Sequence, residues 1–393
     1  MDHSRRNVFL LACCQALLLT NNVTLIALNG LAGFALADNK ALATLPVTGY
    51  VVGSAISTFP ASLWMKRVGR RNGFLIGTLF GLAGGAIATL GIWLGSFWTL
   101  VLGTLVLGTY NSFGQYYRFA AADVVPLKWK AKAISLVMAG GLVGGVIGPE
   151  MSKVTRELAQ PTYLASYASL LVFCLVTMAI LSGLRIPDPK PEEFHGATRP
   201  LKEIMAQPVF VVAVVVGALG YGVMNLLMTS TPLAMGFCGL PYAAAASVIS
   251  AHVIAMFAPS FVTGSLIQRF GVLNVMMAGV AAMFGCVAIA LSGQLYMNFW
   301  LSLVLLGVGW NFMYVGGTTL LTETYRPAEK AKAQGANEIL VFCTTATSSF
   351  ASGVLVNAAG WNTLNYVALP FLAIAGSAAL WLALRRRAAA AAA

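Results

Sequence analysis

The sequence is poor in charged residues, and most of its charge has one sign. Only 9% of its 393 residues are Asp, Glu, Lys or Arg, whereas a soluble domain carries about 25%. This deficit excludes a soluble globular domain. The 24 basic residues outnumber the 12 acidic ones, which leaves a net charge of +12.

Sequence motifs for chemistry are also scarce. The six cysteines lack the spacing of metal-binding or redox sites, and no H-E-x-x-H, P-loop or G-x-S-x-G motif occurs. We therefore expect no enzyme, no prosthetic group and no ATP site. Any transport must then be driven by an ion or substrate gradient.

Long apolar runs fill most of the chain. A run of about 20 apolar residues can cross a bilayer as a helix. The sequence therefore predicts an all-α integral membrane protein with twelve transmembrane helices. The predicted spans are 8–30, 41–64, 73–94, 97–121, 133–151, 165–184, 208–233, 242–267, 272–292, 297–321, 334–356 and 364–384.

The basic residues indicate the orientation of these spans. If the N-terminus is cytoplasmic, most Lys and Arg residues lie in inner segments, and the outer loops hold only Lys40, Lys153 and Arg156. This asymmetry predicts that both termini are cytoplasmic, in a bacterial inner membrane. The positive charge therefore indicates topology and a lipid surrounding, and we expect no nucleic-acid partner.

The chain repeats itself with an offset of about 200 residues. Lys130-Ala-Lys-Ala recurs as Lys330-Ala-Lys-Ala, and Tyr110-Asn111 recurs as Trp310-Asn311. These repeats predict two parallel six-helix halves. The predicted boundaries are 1–184 for the first half, 185–207 for a cytoplasmic linker, 208–387 for the second half and 388–393 for an alanine tail.

One loop motif points to a family. Residues 62–71, after the second span, are similar to the G-x-x-x-D-R-x-G-R-R motif, with Ser62 and Lys66 replacing its Gly and Asp. Over its whole length the chain resembles the major facilitator superfamily. This resemblance implies the major facilitator fold, alternating access, and a substrate site near the midplane between the halves.

Two pairs of soft donors lie on neighbouring spans. Met224 and Met228 are four residues apart on the seventh span, and His252 and Met256 on the eighth. Residues at this spacing share one helix face. Thioether and imidazole groups favour soft ions such as Cu(I). The pattern predicts a ladder of metal ligands that conducts copper.

The same pairs are similar to those of the CcoA-like branch of bacterial copper importers. This resemblance favours a monomeric Cu(I) importer and makes a cytoplasmic copper chaperone a candidate acceptor. The branch also includes riboflavin importers, which leaves an alternative substrate open. In that alternative, aromatic side chains stack on the ring: Tyr110, Tyr116, Trp310 and Tyr314. A transporter-like sensor is a third hypothesis.

Other polar side chains within or near the spans fit a gated carrier. The predicted cavity lining comprises Asn111, Gln115, Asn311, Tyr314, Met235 and Cys238. The predicted gating or coupling residues are Arg67, Arg118, Asp123, Arg269, Glu323 and Glu338. In this interpretation, Asp123 and Glu323 pair with Arg67 and Arg269 to latch an inner gate. Glu338 either pairs with Arg118 or exchanges a proton, as in a symporter.

Overall fold

The structure, a computed structural model, describes residues 3–39, 42, 45–186 and 198–391, in which helices occur and strands do not. Helices up to residue 182 are α1 (His3–Leu36), α2 (Leu45–Val68), α3 (Arg70–Trp93), α4 (Phe97–Gly114), α5 (Tyr117–Asp123), α6 (Lys130–Thr155) and α7 (Leu164–Ser182). The later helices are α8 (Leu201–Met205), α9 (Pro208–Phe237), α10 (Tyr242–Phe257), α11 (Ser260–Phe270), α12 (Val272–Ser292), α13 (Tyr296–Leu321) and α14 (Lys330–Ala391). Each predicted span corresponds to one or two of these helices.

Two predicted spans are broken rather than continuous. The fourth, predicted at 97–121, divides into α4 and α5 at Gln115 and Tyr116. The eighth, predicted at 242–267, divides into α10 and α11, which meet at a bend of 41°. The second break has a direct cause, because Pro259 lacks a backbone N–H and its ring clashes with the carbonyl group of the preceding helical turn.

Among the described residues, eight helices are long and apolar enough to cross a membrane, or nine if the bent pair α10 and α11 forms one span. The remaining predicted spans correspond to α2, α4 and the part of α14 before Gly360. Ser, Thr and Asn interrupt their apolar runs. Gly360 has a φ of 76°, and this non-helical residue separates two helices within α14.

The chain forms two compact units, Met1–Val125 with Leu136–Gly196, and Pro126–Ser135 with Ala197–Ala393. In the first unit, α6 packs closely on α1. A Cβ atom at Gly140 would lie 2.2 Å from the Ala12 carbonyl oxygen, and one at Gly144 would lie 2.4 Å from that of Ala16. The glycines of α6 therefore permit close helix packing.

In the second unit, the helices group around α13 and α14. α9 packs mainly along α14 and α13, whereas α10 packs mainly on α13. The α10 crossing is close, because a Cβ atom at Gly307 would lie 2.8 Å from the His252 carbonyl oxygen. These neighbours determine which side chains of α9 and α10 meet.

The internal repeat extends to backbone geometry. Gly69, between α2 and α3, has φ 84° and ψ 161°, and Gly271, between α11 and α12, has φ 85° and ψ 151°. Glycine reaches this region without the steric cost that a Cβ brings. Short 3-10 turns, Leu127–Trp129 and Pro327–Glu329, also precede α6 and α14 at equivalent positions.

A buried ion pair closes the loop between α13 and α14. The Glu329 carboxylate accepts bonds from Arg199 Nη2 at 2.6 Å and Nε at 2.8 Å, and from the Arg326 N–H at 3.0 Å. The bonds from Arg199 are the main reason that the Glu329 pKa falls from 4.5 to about 2. This pair ties the start of the second unit to α14.

The Glu329 pair predicts acid sensitivity. Because the folded pKa is depressed, the stabilisation is complete above about pH 4.5 and disappears as the pH falls towards about 2. We expect Glu329→Gln to lower the free energy of unfolding by about 1–3 kcal/mol at pH 7. Thermal unfolding in detergent between pH 7 and pH 3 measures this. A wild-type profile identical in shape to that of Glu329→Gln contradicts it.

Candidate functional site

In the first unit, three amide side chains form one hydrogen-bonded network. Asn22 Nδ2, on α1, donates to Asn111 Oδ1 at 2.8 Å, and Gln115 Nε2 donates to the same oxygen at 3.2 Å. Asn111 is buried, whereas Asn22 and Gln115 are only half-buried. The two half-buried amides therefore present polar groups at the edge of this unit.

Neighbouring side chains fix the orientation of the network. The Tyr50 hydroxyl donates to Asn22 Oδ1, and Asn111 Nδ2 donates to Ser54 Oγ at 3.1 Å. Arg118 Nη1 donates to Gln115 Oε1 at 3.0 Å and to the Gln115 carbonyl oxygen at 2.9 Å. The predicted cavity residues Asn111 and Gln115 thus lie together, with Arg118 as a positioning residue.

In the second unit, four aromatic side chains form a cluster. Trp310 stacks on Tyr314, with ring centroids 5.1 Å apart and an interplanar angle of 19°. Tyr221 of α9 contacts both rings edge-on, at 5.4 Å from Trp310 and 5.2 Å from Tyr314. Phe257 contacts Trp310 at 5.7 Å. The buried indole Nε1 of Trp310 has no hydrogen-bond partner among the described residues.

Asn311 lies at the helix break in the second unit. Its Nδ2 donates to the Met256 carbonyl oxygen at 2.7 Å, in the last turn of α10, and also to Ser260 Oγ at the start of α11. Thr263 Oγ1 donates to Asn311 Oδ1 at 2.7 Å. The side chain is fully buried and joins α13 to both sides of the break. Its repeat partner Asn111 bonds instead to half-buried amides.

The four predicted metal ligands lie on α9 and α10, and most of them are buried. Met224 is 2% exposed on α9, and Met228 is half-buried. His252 is fully buried, and its Nδ1 lies 2.7 Å from the Leu303 carbonyl oxygen on α13. Met256 is also buried. No group of three or more His, Cys, Asp or Glu that could hold a metal occurs in the described part of the chain.

Two further predicted lining residues lie near the end of α9. Met235 is fully buried. Cys238 is exposed, and its Sγ donates to Gln294 Oε1 at 3.0 Å. Their role in lining a cavity stays a prediction.

The predicted acids have arginine partners, but at other positions than expected. Asp123 Oδ2 lies 3.3 Å from Arg70 Nε, and Glu323 Oε2 lies 2.6 Å from Arg386 Nη2. Arg67 is exposed, and exposed Arg269 lies over the Phe270 ring. Glu338 is buried and accepts a bond from Asn337 Nδ2 at 2.7 Å. The predicted link between Glu338 and Arg118 stays a prediction.

Comparison with known proteins identifies the family. The profile of the Major Facilitator Superfamily matches residues 8–259 and 238–393, almost the whole chain. The chain belongs to the Major Facilitator Superfamily. It is therefore a multi-span membrane transport protein, as the predicted fold class requires.

Individual members of the family are similar to this chain to different degrees. The chain is 41% identical over 374 residues to the riboflavin transporter RfnT of Brucella anthropi, covering 94% of each protein. It is 29% identical to the MFS-type transporter YddS of Bacillus subtilis, over 82% of this chain and 78% of that one. Among solved structures, FucP in the outward conformation has a TM-score of 0.77 at 16% identity, covering 95% of this chain and 98% of that one. The last match supports the fold alone.

The prediction of copper import is wrong. The relative that is 41% identical over nearly the whole chain is a riboflavin transporter. In the structure, α9 contacts mainly α14 and α13, and α10 contacts mainly α13. Met is common in apolar cores as an adaptable packing residue, and packing accounts for the buried methionines here.

Sequence reasoning missed four residues of these two clusters. Asn22 and Tyr50 belong to the amide network, and Tyr221 and Phe257 belong to the aromatic cluster. Asn22 could have been identified as a candidate because it is a polar side chain in the middle of the first span. Tyr221 lies one helical turn before Met224 and therefore on the same helix face. This spacing could have identified it from the sequence. Tyr110 and Tyr116, also predicted to stack on a ring, are fully buried in the first unit, as Trp310 is in the second. Their part in stacking stays a prediction.

The helix break and the amide network predict different mutant phenotypes. Asn311→Ala leaves buried polar groups at the helix break without partners, so we expect it to lower the free energy of unfolding by about 3 kcal/mol. Gln115→Ala removes a half-buried amide, so we expect a change below about 1 kcal/mol together with weaker substrate uptake. Thermal unfolding and uptake of both variants test this contrast. Equal destabilisation by the two substitutions contradicts the assignment.

Proposed function

We propose that this protein imports riboflavin across the bacterial cytoplasmic membrane by alternating access. The observation that carries the proposal is the 41% identity to the Brucella anthropi riboflavin transporter, which covers 94% of both chains. The proposal replaces copper with the aromatic solute that the sequence left open. It also keeps both termini in the cytoplasm, as the distribution of basic residues predicts.

The aromatic cluster suits the flavin ring. Riboflavin carries a flat, fused three-ring system, and stacking of such a ring on a protein aromatic contributes on the order of 1–3 kcal/mol. Trp310 and Tyr314 are stacked, and half-buried Tyr221 flanks both of them. The indole Nε1 of Trp310 is buried and lacks a partner among the described residues, as does that of Trp361.

The amide network suits the polar parts of riboflavin. The pyrimidinedione edge of the ring offers one N–H donor and carbonyl acceptors, and the ribityl chain offers hydroxyls. Asn22 and Gln115 carry both donors and acceptors and are held in place through Asn111.

Uptake of radioactive riboflavin into cells with no other riboflavin transporter tests the proposal. We expect Trp310→Leu to reduce uptake at least tenfold, because it removes the stacking surface. Trp361→Leu is the matched control, since Trp361 is a buried tryptophan of the same unit that contacts Phe299 instead. Equal loss of uptake in both variants, at equal protein levels, contradicts a binding role for the cluster.

The sulfur atoms provide a separate test between the two substrates. Met224→Leu with Met228→Leu conserves volume and apolarity, so we expect riboflavin uptake to stay within about twofold of wild type. Excess copper should leave that uptake unchanged, whereas unlabelled riboflavin should suppress it. Loss of uptake in the double leucine variant, with the protein correctly folded, shows that sulfur is required and contradicts the proposal.

A further inference from the structure

A cavity of about 370 Å³ opens in the first unit, away from the amide network. It lies between the turn that joins α2 to α3 and the residues that follow α7. Its lining comprises Val68, Gly69, Arg70, Arg71, Asn72, Leu184, Arg185 and Ile186. Three of these residues are arginines and none is acidic. Arg70 is paired with Asp123, which does not line the cavity, so Arg71 and Arg185 give the lining its positive charge.

The walls of this basic pocket are held by specific bonds. Arg71 Nη2 donates to the Ser182 carbonyl oxygen at 3.0 Å, which joins α3 to the end of α7. On the other wall, Asn7 Nδ2 donates to the Arg185 carbonyl oxygen at 2.7 Å, and the Arg185 N–H donates to Asn7 Oδ1 at 3.1 Å. Arg185 therefore has a fixed backbone and an exposed side chain.

The start of α3 adds to the positive potential. α3 is 24 residues long, and its N-cap Gly69 provides no side-chain hydrogen bond to the first turn. The N-terminus of such a helix favours anions, because its first N–H groups have no partner within the helix. Here that helix end and the arginine side chains line the same cavity.

The internal repeat supplies a comparison within the chain. At the equivalent turn of the second unit, Gly271 has nearly the same backbone angles as Gly69. The asparagine three residues later also has the same role, because Asn72 Nδ2 donates to the Val68 carbonyl oxygen and Asn274 Nδ2 to that of Phe270.

The residues between glycine and asparagine differ. They are Arg70 and Arg71 in the first unit, and Val272 and Leu273 in the second. The turn therefore forms without arginines.

We propose that the basic pocket binds a phosphate group. Arginine is suited to phosphate because its planar guanidinium donates two parallel hydrogen bonds. The pocket lies at the start of α3 and just after the end of α7, two helices that are long and apolar enough to cross a membrane. Basic pockets between such helices bind anionic lipids. The phosphate can belong to an anionic phospholipid or to a small phosphorylated solute. The inference does not depend on riboflavin as the substrate.

Native mass spectrometry of the full-length protein tests the proposal. Delipidated protein in neutral detergent is titrated separately with phosphatidylglycerol, phosphatidylcholine and inorganic phosphate. We expect wild type to bind one phosphatidylglycerol at least tenfold more tightly than phosphatidylcholine. Arg71→Gln with Arg185→Gln should abolish this preference, because it removes two of the three arginines. Stronger binding of inorganic phosphate than of either lipid assigns the pocket to a soluble phosphate compound.

The control removes the same charge elsewhere. Arg385→Gln with Arg387→Gln neutralises two exposed arginines that do not line the pocket, and we expect it to bind lipid as wild type does. If the pocket double variant fails to fold, the single Arg185→Gln variant replaces it, since that side chain is exposed. Equal binding by the pocket and control variants, or no binding of any phosphate compound by wild type, overturns the proposal.

Discussion

The structure depends on one constraint, which is that backbone polar groups within a bilayer must find partners inside the protein. Unbroken helices meet this constraint by themselves. The break between α10 and α11 does not, and Asn311 supplies bonds to the Met256 carbonyl oxygen and Ser260 there. A buried polar side chain in a span is thus first a candidate for stabilising the backbone, and only then a candidate for binding substrate.

The distinction between stabilising the backbone and binding substrate separates two residues that the sequence presents as equivalent. Asn111 and Asn311 occupy matching positions in the repeat. The amide of Asn311 forms hydrogen bonds at a helix break, whereas Asn111 bonds to two half-buried amides. The neighbouring pair diverges as well. Tyr110 and Trp310 are both fully buried, but Trp310 belongs to an aromatic cluster with Tyr221. Repeat symmetry therefore preserves the fold while the two units differ in chemistry.

Much of the fold could be predicted because its physical causes are local. Apolar length defines the spans, and the glycine at the turn after α2 recurs, with the same backbone angles, after α11. The second break was missed because the apolar run continues through it, and the first was missed because the length of residues 97–121 fits a single span. Pro259 marked the second break in advance, but Gln115 and Tyr116 carry no comparable feature at the first.

The candidate site could be predicted less well, because it depends on which helices are neighbours. Four-residue spacing places Met224 beside Met228 on one face, but it does not say which helix that face meets. The structure packs α9 mainly on α14 and α13, and His252 bonds to Leu303 on α13. Asn111 and Gln115 were identified correctly as neighbours, since they are one helical turn apart and both polar.

The most direct test of this account is flavin binding by the purified protein. Riboflavin fluorescence is quenched when its ring stacks on tryptophan or tyrosine, so titration reports occupancy without requiring transport. The account predicts saturable quenching by wild type, its loss in Trp310→Leu, and no displacement by copper. Unsaturable quenching by wild type, or displacement of the flavin by copper, contradicts it.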